Sequence, residues 1–454
     1  MGLFDQLAAE YSGEVVFANI NSMSRYKAGA ELSTTAIHDA AVKAVSGGGN
    51  SSPGSGDPVV LRFTDKVYRN FVQDNTHRLR MALSRAAASN GRARIVFLGD
   101  SFCSGYGNYN GAHSRYGAQV ARMLSARGWN VRNDGFHGDA WNGGSIDDFL
   151  ALDQRVSYFG NVAIYDSAYP TLGGRLFEIR GEGNLLSFAP DSGNTFDTVD
   201  VLVPMNMWNN DLVFIFHDGN GNDTAEVPAG ITHGLHGMKM VTVTTPDGFA
   251  AKSLTITCHG RDSAYLAGLN CRDSQKPGIE VIVAGVAGGR MADWSVNPVN
   301  PDDDTYFDST TYNVQASLAA LCADFQDVPT IFITEGWAND WDANNITPAQ
   351  ATDLAGALID KLSQWGDNIW LGYSPMSPTY KEGVNLEELV PVYNEAVFKA
   401  ATDRGLPVID PWAIYPSFET TANMGLTNDG VEHPSGEGHA IFARSIISAF
   451  DSIF

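Results

Sequence analysis

In Arg94-Ile-Val-Phe-Leu98-Gly99-Asp100-Ser101 a short apolar run rich in β-forming residues stops at a glycine, and an acid and a serine follow at once. A run of this length bounded by a turn signal reads as a buried strand. Beyond it, residues 115–127 have helical spacing and stop at Gly128. The same alternation returns far downstream. Ile279-Glu-Val-Ile-Val283, Thr330-Ile-Phe-Ile-Thr334, Ile369-Trp-Leu-Gly372 and Pro407-Val-Ile409 read as strands, with helices over 348–365 and 385–403. The first of these helices opens on a capping box, Thr347-Pro-Ala-Gln350, with proline at the first helical position. Strands alternating with helices predict a mainly parallel sheet covered on both faces. Ser101 then lies at the carboxyl edge of that sheet, where open α/β folds place their sites.

The texture changes between 155 and 276. Leu176-Phe-Glu-Ile-Arg180, Val199-Asp-Val-Leu-Val203, Leu212-Val-Phe-Ile-Phe216 and Leu254-Thr-Ile-Thr-Cys258 are short alternating runs separated by turn residues. No helical stretch interrupts them, so this block reads as an all-β sandwich. The expected architecture is one α/β/α domain in two parts, 59–154 and 277–454, interrupted by a β-sandwich at 155–276. Ahead of it, residues 46–58 form a Gly/Ser-rich linker. The linker sets off a leading segment of about 45 residues, small for a core of its own and suited to anchoring on a larger assembly. Segment and linker together make up 1–58.

The chain has 454 residues and a net charge of −23. Such acidity repels phosphate backbones and argues against a nucleic-acid partner. No apolar run approaches the roughly 18 residues that a membrane span needs. The start, Met1-Gly-Leu-Phe-Asp-Gln6, lacks a basic region and a long apolar stretch, so no signal peptide is expected. That leaves a cytoplasmic protein or one assembled into a virion. Cys103, Cys258, Cys271 and Cys322 stand far apart without a CxxC pair, and read as buried thiols, with a Cys258–Cys271 bridge as the alternative.

Gly99-Asp100-Ser101 alone is a weak motif, but the far end of the chain supplies its complement. In Asp429-Gly-Val-Glu-His433-Pro-Ser-Gly-Glu-Gly-His439, His433 stands in a loop ahead of an apolar terminal helix. A neutral imidazole there can take the hydroxyl proton that serine cannot lose unaided. A nearby carboxylate can hold the ring tautomer and stabilise the imidazolium. Two further elements follow strands of the same sheet. Gly336-Trp-Ala-Asn339-Asp340-Trp341 brings a side-chain amide suited to an oxyanion hole. Ala284-Gly-Val-Ala-Gly288-Gly-Arg290 lets a backbone N–H approach a ligand closely.

Taken in order, these blocks resemble those of the SGNH (GDSL-like) hydrolase family. The resemblance covers roughly 94–152 and 277–452. It implies a three-layer α/β/α fold and acyl-ester hydrolysis without a cofactor or metal. It also implies Ser101 as nucleophile, His433 as base and Asp429 as the third triad member. The implied oxyanion donors are the Ser101 N–H, the Gly288 N–H and the Asn339 side chain. A β-sandwich inserted after the first block resembles members that act on carbohydrate, including some phage-tail deacetylases. An O-acetylated oligo- or polysaccharide is therefore the expected partner. A lipid or thioester substrate, or a non-catalytic virion or binding protein, are the alternatives.

Three departures stand out. Trp337 occupies the glycine position of the third block. The acid of the last block falls four residues before the histidine rather than three, with Glu432 adjacent to the histidine as a competitor. A rival glycine block, Asn133-Asp-Gly135-Phe-His-Gly138-Asp139, would put Gly138 in place of Gly288.

Other clusters carry less. Asp218-Gly-Asn220-Gly-Asn222-Asp223 resembles half a calcium loop but lacks glycine at the sixth position and glutamate at the twelfth, so it reads as a hairpin turn. Asp302-Asp-Asp304 reads as a solvated loop, and His233, His236 and His259 lack ligand spacing. Trp294, Trp337 and Trp341 suit either sugar stacking or core packing.

Overall fold

A computed structural model describes residues 67–453 apart from several stretches, the longest being 85–90, 138–144, 205–211, 232–237 and 295–314. The segment and linker expected over 1–58 lie outside the described residues, as do His233, His236 and Asp302–Asp304.

The central sheet has seven strands, in the order Tyr68–Arg69, Val408–Ile409, Gly366–Leu371, Thr330–Glu335, Ala93–Gly99, Ile279–Gly285 and Val131–Arg132. Neighbours run parallel except at the 68–69 edge, which is antiparallel. Side chains alternate between the two faces. Ile95, Phe97, Val281, Val283, Ile331 and Ile333 pack in one buried cluster with residues of the helices Tyr116–Ala126 and Gly436–Ile453. Val96, Leu98, Ile282, Ala284 and Phe332 pack on the other face with residues of Gln315–Leu321, Pro348–Leu362 and Leu386–Asp403. This is the three-layer α/β/α arrangement that the strand–helix alternation predicts. All seven residues of 93–99 are buried. Each large apolar side chain so buried contributes about 1.5–3 kcal/mol, and a one-residue slip would exchange the two faces.

The capping box at Thr347 forms, with the Thr347 hydroxyl accepting from the Gln350 amide and the Gln350 side chain accepting from the Thr347 amide. The helix it opens ends at Leu362, earlier than its apolar pattern suggests, because 364–365 fold back in a turn on Lys361 and Leu362. The next strand begins at Gly366, its start hidden in the sequence by Asp367 and Asn368.

The inserted β region forms three antiparallel sheets. One joins 238–244, 198–204, 268–272 and 135–136. A second joins 227–228, 212–217, 253–258, 185–188 and 156–159. A third joins 263–266, 175–180 and 162–166. Their inner faces share a core in which the Phe136 ring meets Phe149, Phe177 and Phe188 at centroid distances of 5.8, 5.1 and 5.3 Å. The chain thus enters this core at Gly135–Phe136, upstream of residue 155.

The sandwich is welded to the α/β body. Leu172, Leu176, Leu202 and Ala267 join the apolar cluster on one face of the central sheet. Around a cavity of about 150 Å³, Arg92 meets Glu280 at 2.6 Å and Asp200 at 3.4 Å, and Arg272 meets Asp200 at 2.7 Å.

Cys103, Cys258, Cys271 and Cys322 are buried and form no disulfide with one another, which rules out the alternative 258–271 bridge. The Asp218–Asp223 stretch is a turn closed by Asp218 N–H to Asn222 O at 3.1 Å, and the Asp218 carboxylate accepts the amides of Asn220 and Asn222. His259 is exposed and meets Glu226 at 2.7 Å. Among the described residues no helix is long and apolar enough to cross a membrane.

Candidate active site

The 93–99 strand ends on Gly99, and the chain turns at Asp100 into a single helical turn, Ser101–Ser104. Asp100 caps this turn, its Oδ1 accepting the Phe102 N–H at 3.0 Å. Gly105 closes it in the left-handed conformation, φ +83°. Ser101 therefore stands at the start of a helical turn on the carboxyl edge of the sheet, 9% exposed. The next strand must leave room for this turn: a Cβ on Gly285 would lie 2.2 Å from the Ser104 nitrogen.

His433 comes to Ser101 from 332 residues away, with Nε2 2.9 Å from Oγ. Its loop is closed by Asn428 N–H donating to the His433 carbonyl at 2.7 Å and by a bridge between Thr427 and Pro434. The Asn108 side chain donates to the Pro434 carbonyl at 2.9 Å and so ties the serine loop to the histidine loop. The rings of Tyr106 and Phe102 flank the imidazole at 4.5 and 5.4 Å. On the far side of the ring, Nδ1 lies 2.5 Å from Asp429 Oδ2 and 3.5 Å from Glu432 Oε1. With Asp429 accepting the Nδ1 proton, Nε2 is left to accept from the serine hydroxyl.

Asn339 stands in the short helix Ala338–Trp341 after the 330–335 strand. Its side-chain nitrogen donates to Asp100 Oδ2 at 3.3 Å and to the Gly289 carbonyl at 3.1 Å. The Met291 N–H donates to Asp340 Oδ2 at 2.5 Å. These bonds tie the third block to the Gly288 loop, in which Gly288 itself adopts φ +77°. The rival Gly138 lies outside the described residues. The rest of that block, Gly135–Phe136, is a strand of the sandwich, and His137 beside it is buried. Trp294 is wholly buried in core and is not placed to stack on a sugar. Trp337 and the side chain of Trp341 lie outside the described residues.

Two buried acids beside the serine escaped the sequence reading as functional groups. Asp100 is fully buried, and Oδ2 accepts from the Ala338 amide at 3.2 Å and the Tyr373 hydroxyl at 3.3 Å as well as from Asn339. Burial pushes its carboxyl up to about 6. Glu335, also fully buried, is raised well above the usual range, by burial first and then by the charge of Asp100. The available signal was a glutamate ending the otherwise uncharged strand Thr330-Ile-Phe-Ile-Thr-Glu335.

Among the described residues, Asp429, Glu432 and His433 each present a ligand atom within 4.8 Å of the others and could hold a metal ion. As arranged, Nδ1 is already engaged by Asp429.

The fold is a three-layer α/β/α sandwich, with a serine, a histidine and an aspartate in hydrogen-bonded sequence at its sheet edge. The protein resembles the SGNH hydrolases and shares its overall fold with a solved peptidoglycan O-acetylesterase. That match has 16% identity and a TM-score of 0.58, over 85% of this chain and 98% of the other. Smaller portions match the acetylxylan esterase Axe2 from Geobacillus stearothermophilus, at 14% identity, 38% of this chain, 72% of the other and TM-score 0.27. CsCBM6-3 from Clostridium stercorarium, solved with cellobiose, matches at 16% identity, 26% of this chain, 87% of the other and TM-score 0.20. No protein-family model matches the sequence, and no curated protein matches it significantly.

Proposed function

We propose that this protein is a serine esterase that removes O-acetyl groups from a carbohydrate. The observation that carries the reading is the continuous hydrogen-bonded line from Asp429 through His433 to Ser101 at the sheet edge. Ser101 Oγ attacks the ester carbonyl carbon while His433 Nε2 takes the hydroxyl proton. The carbonyl oxygen becomes an oxyanion, for which the Ser101 N–H and the Gly288 N–H are donors and the Asn339 side chain is the third once one of its N–H groups turns from the Gly289 carbonyl to the oxyanion. Collapse breaks the bond to the alcohol, which leaves with the proton from His433. Water, deprotonated by the same nitrogen, then releases the acyl group as a carboxylic acid and restores Ser101. Asp429 keeps the ring in the required tautomer and stabilises its cationic form.

The carbohydrate part of the reading is supported by the fold shared with the peptidoglycan O-acetylesterase, a likeness broad enough to include part of the β-sandwich. The test is hydrolysis of 4-nitrophenyl acetate together with acetate release from O-acetylated peptidoglycan and acetylxylan. A lipid ester and a thioester belong in the same panel. The wild type is expected to release acetate, with or without a chelator, and Ser101→Ala to lose several orders of magnitude in turnover while remaining folded. Near-normal turnover by folded Ser101→Ala, or an inert wild type, would overturn the reading.

A further inference from the structure

Glu335 belongs to no part of the mechanism above, yet it lies directly beneath the serine turn. Its Oε1 accepts two backbone amides, from Asp100 and Cys103, each at 3.0 Å. Its Oε2 is held by the Tyr116 hydroxyl at 3.1 Å. These two amides bracket Ser101 in sequence. The contact is close enough to dictate the neighbouring residue type: a Cβ on Gly99 would sit 2.2 Å from Glu335 Oε1 and 2.7 Å from Cys103 Cβ. Burying a carboxyl group completely is costly unless its polar atoms are satisfied. An ordinary strand end would carry an apolar residue here, as the preceding strand residues Ile331 and Ile333 do.

We propose that Glu335 is a positioning residue for Ser101: its buried carboxyl group clamps the Asp100–Cys103 backbone and so fixes the hydroxyl against His433 and the serine amide against the oxyanion. The inference rests on Ser101 being the nucleophile proposed above. Burial and the neighbouring Asp100 charge hold its carboxyl group well above the usual carboxylate range. The working part is Oε1, an acceptor oxygen for the two amides, which the glutamine side-chain carbonyl reproduces. Asp100 cannot take over the task, because Oδ1 is occupied by Phe102 and Oδ2 faces the Asn339 side.

The test reads the reactivity of Ser101 with a fluorophosphonate. In that reaction Oγ forms a bond to phosphorus, fluoride leaves, and the hydroxyl proton passes to His433. Wild type, Ser101→Ala, Glu335→Gln, Glu335→Leu and Glu335→Asp are compared, with kcat and KM for 4-nitrophenyl acetate measured in parallel. Aspartate keeps the carboxyl group but withdraws the acceptor by one bond, about 1.5 Å. Glu335→Leu and Glu335→Asp are expected to label roughly 100-fold more slowly, with kcat reduced and KM little changed, while Glu335→Gln stays close to wild type. A Glu335→Leu protein that labels at the wild-type rate overturns the proposal. If that variant does not fold, wild-type labelling of Glu335→Asp does the same. Glu335→Gln as slow as Glu335→Asp also overturns it, since the acceptor oxygen is then not what matters. A wild type that does not label, or a Ser101→Ala protein that does, instead sinks the nucleophile assignment, so the two failures are distinct.

Discussion

Asp429 holds His433 at two places. Its Oδ2 lies 2.5 Å from ring Nδ1, while Oδ1 accepts the backbone amides of Glu432 at 2.9 Å and of His433 itself at 3.2 Å. One carboxylate therefore shapes the loop and orients the base. The residue that lengthens this loop relative to the usual spacing is absorbed at Gly430, whose φ of +72° is left-handed and suits glycine.

Because Asp429 makes the short contact and Glu432 stands 3.5 Å away, the two acids should differ sharply. Asp429→Asn is expected to lower kcat on a small acetyl ester by roughly 10³–10⁴-fold, through the wrong tautomer and loss of the supporting charge. Glu432→Gln should change it little. Steady-state kinetics on both variants decide, and the reverse ranking would transfer the third role to Glu432.

Asn339 joins Asp100 to the Gly289 carbonyl, so its loss both removes an amide donor and loosens the loop carrying Gly288. Asn339→Ala is expected to reduce kcat by roughly 100- to 1,000-fold with a smaller effect on KM. Unchanged turnover in a folded variant would remove Asn339 from the oxyanion site.

Arg92 faces Glu280 on the central sheet and Asp200 in the sandwich. Removing it takes one of two arginine partners from each of two mostly buried carboxylates, since Arg272 still meets Asp200 at 2.7 Å and Arg94 lies 3.6 Å from Glu280. Arg92→Ala should cost about 1.5 kcal/mol in chemical unfolding while leaving kcat nearly intact, since it lies away from Ser101 in the fold. A stability loss within experimental error would mean that the apolar contacts of Leu172, Leu176 and Leu202 alone hold the sandwich in place.

His137 is buried, with both ring nitrogens unpaired, and burial pushes its pKa down to about 3. Between the unfolded value near 6.5 and that folded value, the unfolded chain binds a proton that the folded chain refuses. Its effect is therefore a loss of stability as pH falls from about 6.5 toward 3. Asp100 and Asp410, both raised to about 6 by burial, act in the opposite direction as pH falls through 6. Comparing wild type with His137→Gln isolates the histidine. The variant should gain on wild type by up to about 1.4 kcal/mol per pH unit below pH 6, read from urea unfolding at several pH values. Parallel curves would show that the ring is protonated in the folded state.

Much of the fold was legible along the chain because its signals are local. The apolar runs at 94–98, 279–283 and 330–334 sit within the observed strands, and the Thr347 capping box forms as written. The 366–371 strand was placed late, because Asp367 and Asn368 are polar although the sheet buries Asn368. Phe136 was read beside a rival glycine block, whereas it packs in the sandwich core, a partnership made by rings far away in sequence.

For the candidate site, the sequence by itself determined which residue types stand at strand ends: a serine after 93–99, an asparagine after 330–335 and a histidine before the last helix. Periodicity and turn residues fix strand ends locally, and a parallel sheet brings those ends to one edge. Only the tertiary structure decided which groups meet there. It set Asp429 rather than Glu432 at 2.5 Å from the ring, turned the Asn339 amide toward Asp100 and Gly289, and buried Glu335 under the serine turn. Such choices depend on loop curvature and on the satisfaction of buried polar atoms by partners up to 332 residues apart. No local pattern encodes a distance of that kind.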